Sequence, residues 1–218
     1  MEKTNYNEKM KEIISNLDGR KTLLLHSCCG PCSSAVIEKL QNFFDITVFY
    51  YNPNILPKDE YEKRKKEQMR LIEMLNAKNE NKIKFLDSDY NPSEFANAIC
   101  GFENEKEGSE RCKHCYFFRL EKTAHVAEKN EFNFFGTTLS VSPHKNAAWI
   151  NEILMDLENK ILTNGGKTKA LLADFKKENG YLRSLKLSKE FGLYRQDYCG
   201  CRPNLSENNW NKSFGKPC

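Results

Sequence analysis

The chain has 218 residues and nine cysteines, and its 34 basic residues are interspersed with 30 acidic ones to leave a net charge of +4. A hydrophobic fraction of 39% with a mean hydropathy of -0.72 fits one globular α/β body with a heavily charged surface, and excludes extended disorder away from the ends. The charge balance permits contact with RNA without requiring it, and no apolar run approaches the ~20 residues that span a bilayer, so a cytoplasmic protein with no membrane partner is expected.

In chain order, the apolar run at residues 23–25 reads as a first strand, and the stretch LLHSCCGPCSS at 24–34 places Cys28, Cys29 and Cys32 in the turn after it. Residues 46–50 read as a second strand, followed by Tyr51-Asn52-Pro53-Asn54. Residues 58–76 mix charges with Met69, Ile72 and Leu75 at a spacing of three, the mark of a helix with one apolar side. A third strand at 83–86 leads to Asp87-Ser88-Asp89. In ERCKHCYFFRL, at 110–120, a helix starting near Arg111 puts Cys112 and Cys115 on one face close to its N-terminus, which favours their thiolates, and turns His114 away to the surface. A fourth strand at 132–135 precedes Thr137-Thr138-Leu139-Ser140. Beyond residue 145 no strand is expected; residues 147–157, 169–177 and 185–191 read as helices separated by Gly165-Gly166 and Gly180.

Alternation of strand and helix favours a parallel sheet flanked by helices, in which every strand delivers its carboxyl end to one edge, where α/β proteins bind ligands. The turns after the four strands hold the unusual residues. The expected organisation is a single α/β catalytic domain over residues 1–218: a sheet core from about 20 to 145 and a helical C-terminal part from about 146 to 218 that carries Cys199 and Cys201.

An odd number of cysteines in a reducing compartment suits ligands or catalytic thiols better than a disulfide framework. CGPC at 29–32 is a thioredoxin-type tetrapeptide, but Cys28 crowds the pair, and the first prolines after it lie in a turn followed by a charged helix. Cys112 and Cys115 read as metal ligands, with a zinc knuckle completed by His114 or Cys100 as the alternative. Gly200 between Cys199 and Cys201 allows a very small, easily reduced disulfide ring, so this pair is a two-electron store or two further metal ligands. Cys100 is expected as a small buried core residue, and Cys218 as an exposed one. Asp197 and Tyr198 are candidate proton donors or a cap and a packing ring. Thr137, Thr138, Ser140, Ser142 and Lys145 offer groups for phosphate or ribose, with Ser142 also readable as an N-cap, and Tyr50, Tyr51 and Tyr194 are candidates for stacking on a base.

Taken together, LLHSCCGPCS at 24–33, ERCKHCYFFRL at 110–120, TTLSVSPHKN at 137–146 and YRQDYCGC at 194–201 resemble the cobalamin-independent epoxyqueuosine reductases, the QueH family. The resemblance implies a nucleotide-binding (HUP/PP-loop-like) fold related to that of tRNA-thiolating enzymes. It implies a [4Fe-4S] cluster held by Cys28, Cys29, Cys112 and Cys115, and a redox pair formed by Cys199 and Cys201. The implied reaction removes the epoxide oxygen of epoxyqueuosine in the tRNA anticodon loop with two electrons from an unidentified donor. Cys32, a third thiol in the first turn, either replaces another ligand type or releases Cys28 to an additional mononuclear metal ion.

Overall fold

The structure, a computed structural model, describes residues 4–201. Five strands, β1 (Lys21–His26), β2 (Phe44–Tyr50), β3 (Lys84–Asp87), β4 (Phe134–Thr137) and β5 (Lys169–Ala170), form one sheet in the order β3-β2-β1-β4-β5 with every pairing parallel. Seven α-helices accompany them among the described residues: α1 (Tyr6–Ser15), α2 (Gly30–Leu40), α3 (Lys58–Lys78), α4 (Pro92–Ala98), α5 (Glu110–Lys129), α6 (Ala147–Thr163) and α7 (Gly180–Glu190).

The side-chain alternation of the strands builds two cores. Leu23 and Leu25 of β1, Ile46 and Val48 of β2 and Phe134 of β4 pack with Val36, Ile37 and Leu40 of α2 and Leu71, Ile72 and Leu75 of α3. Leu24, Phe49 and Phe135 point the other way, onto Tyr116 and Leu120 of α5 and Ile150, Leu154 and Leu157 of α6. Leu23, Leu24 and Leu25 are wholly buried, each contributing about 1.5–3 kcal/mol, so the central strand is apolar throughout because both of its faces are covered.

From β1 the chain winds outward through β2 to β3, then returns past β1 to β4 and β5. The winding reverses between β1 and β4, and the carboxyl edge at such a reversal is the natural ligand site of an open α/β sheet. His26 pairs with Phe49 on one side and Thr137 on the other, so the turns leaving β1, β2 and β4 start level with one another.

Three expectations fail. A strand does follow residue 145: β5 and the extended segment after it replace the helix expected at 169–177. Lys169 N–H donates to Asn133 O at 2.9 Å and Leu171 N–H to Phe135 O at 2.8 Å, while Asn151 of α6 accepts from Ala173 N–H and donates to Ala173 O. Leu171, Ala173 and Phe175 are buried at a period of two, so the free edge of β4 outweighed the helical propensity of this lysine- and alanine-rich run. Gly180, expected as a separator, opens α7 instead; a Cβ there would stand 1.9 Å from Phe175 O. Ser142 caps no α-helix, because Asn146 takes that role for α6 by accepting from Ala148 and Trp149 N–H.

Candidate functional site

The turn after β1 is fixed from all sides. Ser27 N–H continues the sheet by donating to Phe49 O, and Asn52 Nδ2 donates to Ser27 O at 2.8 Å. The hydroxyls of Ser27 and Ser33 both donate to Gln68 Oε1 at 2.8 Å, tying the turn and the first coil of α2 to α3. His26 is fully buried, and burial, followed by the nearby charge of Arg119, pushes its pKa down to about 3. A neutral ring has one N–H. Nε2 stands 3.2 Å from Tyr51 O, which can only accept, so it carries the proton and leaves Nδ1 to accept from the Thr137 hydroxyl at 3.0 Å. One imidazole thus locks the carboxyl ends of β1, β2 and β4 together.

On this support Cys29 takes the N-cap position of α2, and the sulfurs of Cys28, Cys29 and Cys32 all lie within 4.8 Å of one another. Hydrogen bonds from the Cys29 and Cys32 thiols hold Cys28 well below the ordinary cysteine range. Bonding to Cys28 conversely pushes Cys29 up to about 12, and raises Cys32 as well. The trio therefore favours negative charge on Cys28 over Cys29 and Cys32, and offers a set of soft donors to a thiophilic metal.

Helix α5 brings the second pair. Cys112 packs in the same buried cluster as Cys28 and Cys29 and accepts from Gly108 N–H at 3.2 Å. Cys115, one turn on, packs with Cys201, Leu56 and Phe95, with Cys199 beside them. Burial pushes the Cys115 thiol up, so the thiolate expected from the helix N-terminus is not what the surroundings favour for the metal-free residue. Neither residue of this pair joins the 4.8 Å group, which holds Cys28, Cys29 and Cys32 among the described residues. Cys199 and Cys201 sulfurs are 3.4 Å apart and unbonded. The Cys201 thiol donates to Cys199 and lowers its pKa well below the ordinary value, while Cys201 is raised in return.

Two buried cations, Arg119 and Arg64, and the half-buried Lys145 answer these sulfurs. Arg119, 2% exposed, bonds Cys115 O through Nε, and its charge faces Cys115, Cys28 and Cys199. Burial alone would pull Lys145 down, but the nearby charge of Cys199, together with smaller contributions around it, outweighs that and holds its ammonium above the usual lysine value. Arg64, 3% exposed, donates from Nε to Glu60 at 2.6 Å and lies in the field of Cys29 and Cys28. A cavity of about 360 Å³ joins the trio, Cys199 and the three cations, while Cys112, Cys115 and Cys201 do not line it. Cys28, Cys29, Asn54, Ile55, Arg64 and Arg119 form its buried floor, and Pro143, His144, Asp197 and Tyr198 its exposed rim, with Cys32, Lys145 and Cys199 between.

Several candidates take other places. Tyr50 and Tyr51 are buried in the core, Tyr51 donating to Glu94, so neither can stack on a base from solution; Tyr194 donates to Glu60 instead of presenting a free ring, with Lys63 3.5 Å over its centroid. Thr137 serves His26, and Ser140 accepts from Phe175 N–H. His114 stacks on Phe102 at 4.3 Å, away from the cavity lining. Cys100 is half-buried and disulfide-bonded, not a core thiol; the buried position at the end of α4 is Ile99. Cys218 lies outside the described residues. Sequence reading missed Arg64 and Arg119, because a lone basic residue in a charged helix carries no mark of burial, and His26, because nothing in the last residue of an apolar strand announces the partners that β2 and β4 bring to it.

Fold and site define a parallel α/β protein with a thiol-rich, cation-lined centre at the carboxyl edge of its sheet. U34-tRNA thiolase NcsA from Methanococcus maripaludis, solved with its [4Fe-4S] cluster, shares this fold at a TM-score of 0.52 and 14% identity, over 96% of this chain and 73% of the thiolase. The chain belongs to the epoxyqueuosine reductase QueH family, whose model matches residues 23–207. It is 42% identical to epoxyqueuosine reductase QueH of Streptococcus pyogenes, over 92% of this chain and 78% of that protein. It is also 35% identical to epoxyqueuosine reductase QueH of Thermotoga maritima, over 85% of this chain and 91% of that one.

Proposed function

We propose that the protein reduces epoxyqueuosine in tRNA to queuosine in the cytoplasm, with a [4Fe-4S] cluster held by Cys28, Cys29, Cys112 and Cys115 and with Cys199 and Cys201 as its redox pair. The observation that carries this reading is the meeting of the Cys28-Cys29-Cys32 trio, Cys199 and the cations Arg64, Arg119 and Lys145 on one cavity. The donor set fits such a cofactor. Four thiolates on one zinc ion with bonds of about 2.3 Å would stand roughly 3.8 Å apart, close to the spacing within the Cys28-Cys29-Cys32 trio, whereas the wider grip of a four-iron cube is what Cys112 and Cys115, on a separate element and outside that group, would supply. The buried cations offset the negative charge that four thiolates bring. When bound, the cluster supplies electron relay and a Lewis-acidic iron. Cys32, the third thiol of the turn, either replaces another ligand type or releases Cys28 to an additional mononuclear metal ion.

The overall reaction balances with the thiols. Both C–O bonds of the epoxide break, a C=C bond forms, and two electrons and two protons convert the oxygen to water; oxidation of two thiols at Cys199 and Cys201 to a disulfide releases the same two electrons and two protons. Sulfurs 3.4 Å apart reach the ~2.05 Å of a disulfide by small rotations, and an external electron donor reopens the ring. Asp197 and Tyr198 line the exposed rim of the cavity, which supports them as the candidate proton donors.

The test is anaerobic purification with iron, sulfide and zinc analysis, followed by nucleoside mass analysis of tRNA carrying the epoxide. Iron with cluster absorption and conversion to queuosine is expected; zinc alone, with RNA binding and no conversion, makes the protein a non-catalytic RNA-binding one. Cys112→Ala and Cys115→Ala are expected to lose iron. Cys199→Ser and Cys201→Ser are expected to keep the spectrum and lose multiple turnover, and full multiple turnover by either would remove the redox pair.

A further inference from the structure

Arg64 is a buried cation with an unused donor. Its Nε is taken by Glu60, whose carboxylate also accepts from the Tyr194 hydroxyl at 3.1 and 3.2 Å. Nη1 faces the Cys199-Gly200 turn, 3.2 Å from where a Cβ on Gly200 would stand. Nη2 is buried and has no hydrogen-bond partner. Leaving a buried donor on a charged group unpaired is costly, so the arrangement favours an acceptor arriving from the cavity that Arg64 lines. Asn54, 3% exposed on the same floor, has the complementary deficit, an Oδ1 that accepts from nothing.

The acceptor's chemistry follows from depth. RNA phosphates are bulky and hydrated and suit the rim, where His144 is exposed and Arg195 only partly buried. The floor, beside Cys28, Cys29 and Cys199, is where a reacting group must sit. An epoxide oxygen accepts hydrogen bonds and donates none, and it gains negative charge as its C–O bonds break. A fixed guanidinium N–H aimed at it stabilises that charge most when it is greatest. A substrate hydroxyl, by contrast, can donate to Asn54 Oδ1.

We propose that Arg64 Nη2 donates to the epoxide oxygen while Asn54 Oδ1 accepts from a substrate hydroxyl beside it, so that this pair orients the reacting ring over the thiols. The assignment rests on the reductase reading above. Its test uses the iron-loaded protein and tRNA bearing epoxyqueuosine, with iron per chain, visible spectrum, thermal unfolding, KM and kcat measured on the same samples. Arg64→Gln is expected to keep iron and to lose about 100-fold or more in kcat with little change in KM. Arg64→Ala is expected to recover part of that loss in added guanidinium salt. Asn54→Leu, the second variant should the arginine changes impair folding, is expected to raise KM about tenfold with kcat largely kept. Two outcomes overturn the assignment: iron lost in proportion to activity in Arg64→Gln, which makes Arg64 a counter-ion of the thiolates, or unchanged kinetics in both variants, which leaves water as the partner of these atoms. Iron-loaded wild-type protein that leaves the epoxide intact refutes the reductase reading itself, and the arginine assignment with it, before any variant is compared.

Discussion

Gly200 sits where the cavity floor, the redox pair and α3 meet, and no methyl group fits there. A Cβ would lie 2.9 Å from Ile55 Cγ1, 3.1 Å from Ile55 Cγ2 and 3.2 Å from Arg64 Nη1, and both neighbours are themselves buried. Gly200 is not among the glycines with positive φ, so alanine would meet no backbone strain and the whole effect is one of contact. The carbonyl of Gly200 also accepts from Leu56 N–H at 2.9 Å, so displacing the residue moves the turn that spaces Cys199 from Cys201. Gly200→Ala is therefore expected to keep iron and slow multiple turnover by about tenfold, roughly 1.4 kcal/mol in the barrier, because the two sulfurs no longer approach freely. Iron content, turnover and the rate at which a mild oxidant closes the Cys199–Cys201 disulfide, measured together, check this. If all three match the wild type, the turn tolerates the methyl group and the packing argument fails.

Helix α3 holds that turn in place with one face. Glu60, Arg64, Glu67 and Arg70 recur at spacings of four, three and three, so they line up along the side toward residues 191–200. Glu67 accepts from Tyr194 N–H at 2.6 Å and from Arg70 Nε and Nη2 at 3.0 and 2.6 Å, and Arg70 donates onward to Phe191 O and Gly192 O. Glu67→Ala removes the acceptor of a main-chain N–H and frees Arg70. The expected cost is about 1–2 kcal/mol locally, read as amide exchange at Tyr194 faster by roughly tenfold or more while the amides of β1 keep their protection. Equal acceleration in both places would mean that Glu67 supports the whole fold and not this segment. The polar face of α3 also shows where sequence reading stops. Ile72 and Leu75 announce the helix, although Met69, expected on the same side, is exposed, and in a run so rich in charge nothing separates Lys63, at the surface, from Arg64, buried beside the cysteines one residue later. Burial of a cation is decided by what another segment brings to it, here residues 194–200 and the turn after β1.

The order of the sheet puts the turns leaving β1, β2 and β4 together at the reversal of winding, and that much was legible: apolar runs at 23–25, 46–50, 83–86 and 132–135 fall on β1 to β4 within two residues, and the cysteine clusters point to one edge. What stayed illegible depends on long-range pairing, namely the edge strand β5, the burial of Tyr50 and Tyr51, and the way α1 is attached. That attachment runs through Glu178, which stands before α7 at φ 52° and gathers Asn7 and Lys11 of α1 and Lys39 of α2 onto one carboxylate, at 3.0, 2.5 and 2.9 Å. Hydrogen bonds from Lys11, then Lys39, hold Glu178 at about 2, below its ordinary 4.5. Because the folded value is the lower one, the unfolded chain binds more protons between the two, so the stabilisation is complete above about pH 4.5 and is lost as pH falls toward 2. The carboxylate is nearly half exposed, and solvent and salt keep the effect small. Glu178→Gln is expected to lower the urea midpoint slightly at pH 7, with a gap from wild type that closes between pH 4.5 and pH 2 and shrinks in 1 M salt. Comparing the two chains at each pH cancels the groups they share. A gap of the same size at every pH and salt concentration would show that Glu178 joins α1, α2 and the start of α7 by shape and neutral hydrogen bonds, with its charge playing no part.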